Sequence, residues 1–91
     1  MLPNVDWMVP LDALICMFLS DHRWRFPATP KSVALGIGTG SSNVSHRISL
    51  LNDAGLVEKV DDAGYYRITE LGERYALGET TRDELEAVDP T

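Results

Sequence analysis

Three features of this 91-residue chain predict a mainly helical α+β fold. In Thr39 to Gly55, TGSSNVSHRISLLNDAG, the residues Val44, Ile48, Leu51 and Gly55 recur at spacings of four, three and four. That is one stripe of a helix with 3.6 residues per turn. A shorter helix with a clear start, Thr29 as N-cap and Pro30 at the first position, comes just before it, across a run of glycines. Immediately after it, Leu56–Val60 and Tyr65–Thr69 are rich in β-branched and aromatic residues and are split by Asp61-Asp62-Ala63-Gly64, which reads as a hairpin. Helix, tight turn, helix and hairpin in that order predict a winged helix-turn-helix with a three-helix core, a β-hairpin wing and a C-terminal helix.

The bulk numbers agree with one small domain spanning 1–91, with a packed N-terminal segment at 1–9 and an acidic tail at 80–91. A hydrophobic fraction of 44% with 24% charged residues is globular composition. The longest apolar run, Ala13 to Leu19, is seven residues, well short of the roughly 18 that a membrane span needs. No basic stretch precedes an apolar core at the N-terminus, so no secretory signal is expected and a reduced cytoplasm fits best. The single cysteine, Cys16, forms no internal disulfide. With His22 and His46 it makes a poor metal set, and no metal or cofactor is expected.

The net charge is −6, which by itself argues against a nucleic-acid partner. Its distribution says more. Residues 1–21 carry acids and no Lys or Arg, and residues 70–91 are strongly acidic. Over residues 22–59, Arg23, Arg25, Lys31, Arg47 and Lys59 outnumber Asp53 and Glu58, so the mildly basic segment is the one holding the long polar helix, while 60–69, with Asp61, Asp62 and Arg67, is slightly acidic. Acidic ends around such a middle suit a DNA-binding domain adapted to high salt, and equally a plain acidic interaction module.

Element by element, Trp7 and Met8 are too apolar to trail and should pack on the domain. The first helix runs from Pro10 to about His22, with Asp12 favourable near the positive end of its dipole. It is apolar all round, so it must be central or covered by a partner. With Leu11, Ile15 and Leu19 inward, Met17 faces out. A cover by the N-terminal segment and a dimer contact are both open readings. A short strand is expected at Trp24–Phe26. The second helix puts Val33, Ala34 and Ile37 inward and stops at Gly36 or Gly38. GIGTGSS follows a helix rather than a strand and has no Lys before its Ser, so it is a turn and not a phosphate-cradling loop. In the hairpin, Tyr66 and Ile68 share one face, and Tyr65, Arg67 and Thr69 the other. Thr69 caps a last helix whose Leu71 and Tyr75 point inward, whose Gly72 allows close packing and which Gly78 ends. Beyond it the tail holds at most a helical turn from Thr81 and is expected to fray.

On the helix after Thr39, the face opposite the apolar stripe carries Ser42, His46, Ser49 and Asp53, flanked by Ser45 and Asn52 on one side and Asn43, Arg47 and Leu50 on the other. Its first two turns have no acid. Short donors and acceptors plus a guanidinium are the chemistry that matches base edges and phosphates, although a merely solvated helix face looks the same in isolation. In the fold predicted here, Ser41, Ser42, Asn43, Ser45, His46 and Ser49 would face the major groove and Arg47 a phosphate or guanine edge. Lys31, Lys59 and Arg67 would hold the backbone, with Tyr65 along the sugar. The histidines lack an associated nucleophile, so no enzyme is expected.

The segments DWMVP-x-D at 6–12, P-x-TP at 27–30, NVSHRIS at 43–49, AGLVEKVDD at 54–62 and GYYRIT-x-LG-x-x-Y at 64–75 resemble a haloarchaeal winged helix-turn-helix family of the phi-H phage repressor kind, and more distantly multiple-antibiotic-resistance-type regulators. The resemblance covers 5–80 and implies a transcription regulator in a salt-rich cytoplasm. Three features depart from it. Gly40 and Ser41 stand where Ser and a basic residue are usual, and His46 where a second Arg is common, which weakens the phosphate grip. Met17 and Leu50 replace polar residues and add apolar surface.

Two functions follow. One is sequence-specific binding of double-stranded DNA, as a repressor-like homodimer formed through the first helix, the N-terminal segment and the last helix. The other is a winged-helix module that engages protein through Met17, Leu50 and Trp7. A continuous positive patch of Arg47, Lys59, Arg67 and Lys31 favours the first, and acids interrupting that patch favour the second.

Overall fold

The computed structural model describes residues 5–21 and 26–90. Among these described residues, five helices and one hairpin follow in order: α1 (Pro10–Ser20), α2 (Pro30–Ile37), α3 (Ser41–Ala54), β1 (Val57–Lys59), β2 (Tyr66–Ile68), α4 (Glu70–Ala76) and α5 (Arg82–Ala87). This is the mainly helical α+β winged helix that the element order predicts.

α1 is central and packs against α2, α3 and α4. Its start is held by Asp12, whose Oδ2 accepts the Val9 N–H at 3.0 Å. Ile15, Cys16 and Leu19 are buried, while Leu11, Ala13 and Phe18 are partly covered. Leu14 and Met17 stay 48% and 46% exposed. The all-round apolar pattern therefore has two causes, a buried stripe and an outward pair left about half-exposed by the described residues.

Thr29 caps α2 by accepting the Ser32 N–H at 3.2 Å, and Gly38, at φ 86°, ends it in the left-handed region. α3 buries Val44, Ile48, Leu51 and Ala54. Gly55 is not part of the packed stripe. It is the left-handed C-cap at φ 86°, and Ala54 takes the buried place.

β1 and β2 pair antiparallel with Val57 opposite Ile68, Glu58 opposite Arg67 and Lys59 opposite Tyr66. The strands are shorter than their β-prone segments, though the Val60 N–H still donates to the Tyr65 carbonyl at 2.8 Å. At the strand expected over Trp24–Phe26, residues 24 and 25 lie outside the described residues. The observed pairing is a bridge at Ala28, which exchanges two backbone hydrogen bonds with Tyr66.

Thr69 joins three elements. Its hydroxyl accepts the Gly72 N–H and sits 2.6 Å from the Gly55 carbonyl and 2.9 Å from that of Leu56, so the end of α3, the root of the wing and the start of α4 meet there. Gly72 is obligatory in this packing, since a Cβ there would lie 2.0 Å from the Leu56 carbonyl oxygen.

The frayed tail expected after Gly78 is instead a docked helix. Thr81 and Glu84 form a reciprocal capping box, Leu85 is fully buried, and Arg74 pairs with Glu84 at 2.8 Å. The Trp7 indole donates to the Leu85 carbonyl at 2.8 Å, so the N-terminal segment packs on α5. Leu85, the partly buried Val88 at the C-cap and a capped first turn together hold this six-residue helix.

Candidate nucleic-acid interface

The turn Gly38–Gly40 aims α3 away from α2, and the face opposite its buried stripe is open. Ser41, Ser42, Asn43, Ser45, His46 and Ser49 are all exposed on it. Gly40 offers no side-chain cap, so the first-turn N–H groups of α3 keep their capacity to meet an anion. This surface is rich in hydroxyl, amide and imidazole groups and carries no acid before Asp53.

The flanking cations are placed less evenly. Lys31 is exposed in the first turn of α2, and Lys59 is exposed at the end of β1. The Lys59 N–H donates to Asn52 Oδ1 at 3.2 Å, which ties the wing to the last turn of α3. Arg67 pairs across the hairpin with Glu58, with side chains 59% and 47% exposed. Such an open pair is worth about 0–1 kcal/mol and yields easily to a competing anion. Tyr65 is half-exposed and helps line an apolar pocket of about 480 Å³ with Phe18, Phe26, Pro27, Leu35 and Gly36, rather than standing clear on the wing.

Arg47 departs most from expectation. Its guanidinium is turned inward, with Nε donating to Asp12 Oδ1 at 2.9 Å and Nη2 to Asp12 Oδ2 at 2.8 Å and to the Trp7 carbonyl at 2.9 Å. The side chains are 14% and 0% exposed. The reason is positional, because Arg47 is three residues after Val44 and four before Leu51 and so borders the buried stripe. The hydrogen bonds to Asp12 raise the arginine's pKa above its usual value, against the opposing effect of burial. Acids thus engage two of the four cations expected to form one positive patch.

A model of the winged helix-turn-helix phage repressor family matches residues 1–88. The repressor protein of Halobacterium phage phiH is 37% identical over 85 residues, covering 91% of this chain and 94% of the relative. The chain belongs to the winged helix-turn-helix phage repressor family. No solved structure gives a significant match.

Within this family fold, sequence reasoning missed the partnership of Asp12. A signal was present, since Asp12, Cys16 and Leu19 lie at spacings of four and three on the inward stripe of α1. An acid there needs a buried cation. The same surroundings push the Cys16 thiol up to about 12, chiefly through burial and then through the Asp12 charge. Tyr75 also rises to about 12, again mainly through burial. Both are core groups, neutral at ordinary pH.

Proposed function

We propose that this protein is a cytoplasmic repressor that binds double-stranded DNA sequence-specifically, without catalysis. The observation that carries the reading is the outer face of α3, exposed and uncharged in its first two turns behind a fully buried stripe. In this reading Ser41, Ser42, Asn43, Ser45, His46 and Ser49 meet base edges, while Lys31, Lys59 and Arg67 meet phosphates and Tyr65 the sugar edge. At molar salt the Debye length is about 3 Å, so recognition must come from short contacts rather than long-range attraction. A face of neutral donors suits that regime. The name of the phiH relative, a repressor, supports the sign of regulation.

We further propose a homodimer through the Leu14–Met17 side of α1, to which the exposed apolar residues Val9 and Leu77 would add. Trp7 and Met8, half-buried on their own domain, contribute less than the sequence suggests.

The test is selection of bound fragments from random duplexes at molar KCl. A recovered sequence motif is expected, and its binding should weaken with salt at a slope of about −2 to −3, as two or three phosphate contacts require. The observation favouring an interaction module is the engagement of Arg47 and Arg67 by acids. Failure to enrich any sequence would select that reading.

A further inference from the structure

We infer that Arg47, although it lies on the reading helix, is a positioning residue that sets the rotation and register of α3 through Asp12, and that DNA does not have to touch it. This rests on the DNA-reading assignment above.

The apolar stripe of α3 provides adhesion without direction. Val44, Ile48, Leu51 and Ala54 pack as ridges into grooves, and neighbouring settings of such ridges differ little in buried area. A bidentate guanidinium–carboxylate pair is directional, because both N–H···O bonds must be satisfied in one plane. Asp12 is itself fully buried and bonded to the Val9 N–H at the start of α1. Arg47 therefore meets a buried acceptor 35 residues away in sequence, and it also holds the Trp7 carbonyl. Three segments, 5–9, α1 and α3, are pinned at one guanidinium. Fixing register is the best-attested use of a buried polar pair.

The geometry makes this matter for reading. A helix has an outer radius of about 5–6 Å, so a rotation of 20° moves the tips of its side chains by about 2 Å. Hydrogen bonds to base edges tolerate a range of about 0.5 Å. Asn43 and His46, each within four residues of Arg47 on the same helix, would lose their bases before the fold lost its core.

Contact and positioning predict opposite effects for Asp12→Asn. If Arg47 grips a phosphate, removing the acid frees the guanidinium and makes the protein less negative, so binding tightens and its salt slope steepens. If Arg47 positions α3, binding weakens by roughly tenfold or more with the slope unchanged. Duplex affinity should be measured on the selected fragment at several KCl concentrations for wild type, Asp12→Asn, Arg47→Met and the double variant, with circular dichroism checking the fold. The double variant removes both charges and leaves an amide that still accepts from Val9, which keeps the test open if a single variant fails to fold. It should recover to within about threefold of wild type. Tighter binding by Asp12→Asn, or a double variant no better than Arg47→Met with a slope smaller by about one, would overturn the inference. If the wild type selects no duplex, the DNA reading fails by itself. The positioning role is then read from amide exchange, where Asp12→Asn should speed the α3 amides over 44–51 more than those of α2 and α4. Equal exchange in all three helices would refute it.

Discussion

The same chemistry occurs twice in this protein, an arginine against a carboxylate, with opposite consequences. Arg47–Asp12 sits where α1 and α3 pack, covered by the N-terminal segment, and also binds a backbone carbonyl. Arg67–Glu58 crosses the outer face of a hairpin three residues per strand long, with both partners about half in water. In the first pair, water has been removed from Asp12 altogether and from most of Arg47, so neither charge can be left alone. In the second, water replaces either partner at once. An ion pair on the wing is thus a reversible holder of an exposed guanidinium, while the one beneath α3 is part of the frame.

The sharpest way to break that contrast is Asp12→Ala. It leaves a mostly buried guanidinium without its carboxylate and uncaps α1, and should cost about 3–5 kcal/mol in urea unfolding. Next is Gly72→Ala at the root of the wing. Its Cβ meets a backbone carbonyl rather than a yielding side chain, so a loss of about 2–3 kcal/mol is expected from the unfolding midpoint. A third measurement tests how dry the inner side is without disturbing the pair. Cys16 stands one turn beyond Asp12, and burial pushes its thiol up from about 9 to about 12 on folding. Because the folded value is the higher, its contribution is intact below about pH 9 and declines above it, by about 1 kcal/mol at pH 10. Cys16→Ala should flatten stability over that window, whereas equal slopes for both proteins would mean that water reaches this side. The smallest effect belongs to the wing. Glu58→Gln should change stability by less than about 1 kcal/mol, yet steepen the salt slope of duplex binding by about one as Arg67 becomes a full phosphate ligand.

The frame of the fold was legible because its signals are local. Thr29-Pro30, the three-four spacing of Val44, Ile48 and Leu51, and the Asp-Asp-Ala-Gly turn each specify an element from neighbours in sequence. The fate of Arg47 was not, because its partner is 35 residues away and a helical wheel shows it only as flanking. Its border position beside Val44 and Leu51, read together with an acid on the inward stripe of α1, contained the answer. The docking of α5 was hidden for a related reason. One leucine among acids looks like a tail until Trp7, from the other end of the chain, supplies its cover. The serines, Asn43 and His46 on α3 were correctly expected to be exposed, since exposure of a face follows from the burial of its opposite.

The hydrogen bond from the Trp7 indole to the Leu85 carbonyl joins residues 78 positions apart. It closes nearly the whole domain into a ring, and a loop of that length carries a high closure entropy. The two outer segments should therefore be last to join in folding and first to loosen, and they should do so together, because each is the other's cover. Loosening there releases the Trp7 carbonyl from Arg47, so slack in the seam of the ring reaches α3 directly. The order of assembly and the aim of α3 are set at the same place.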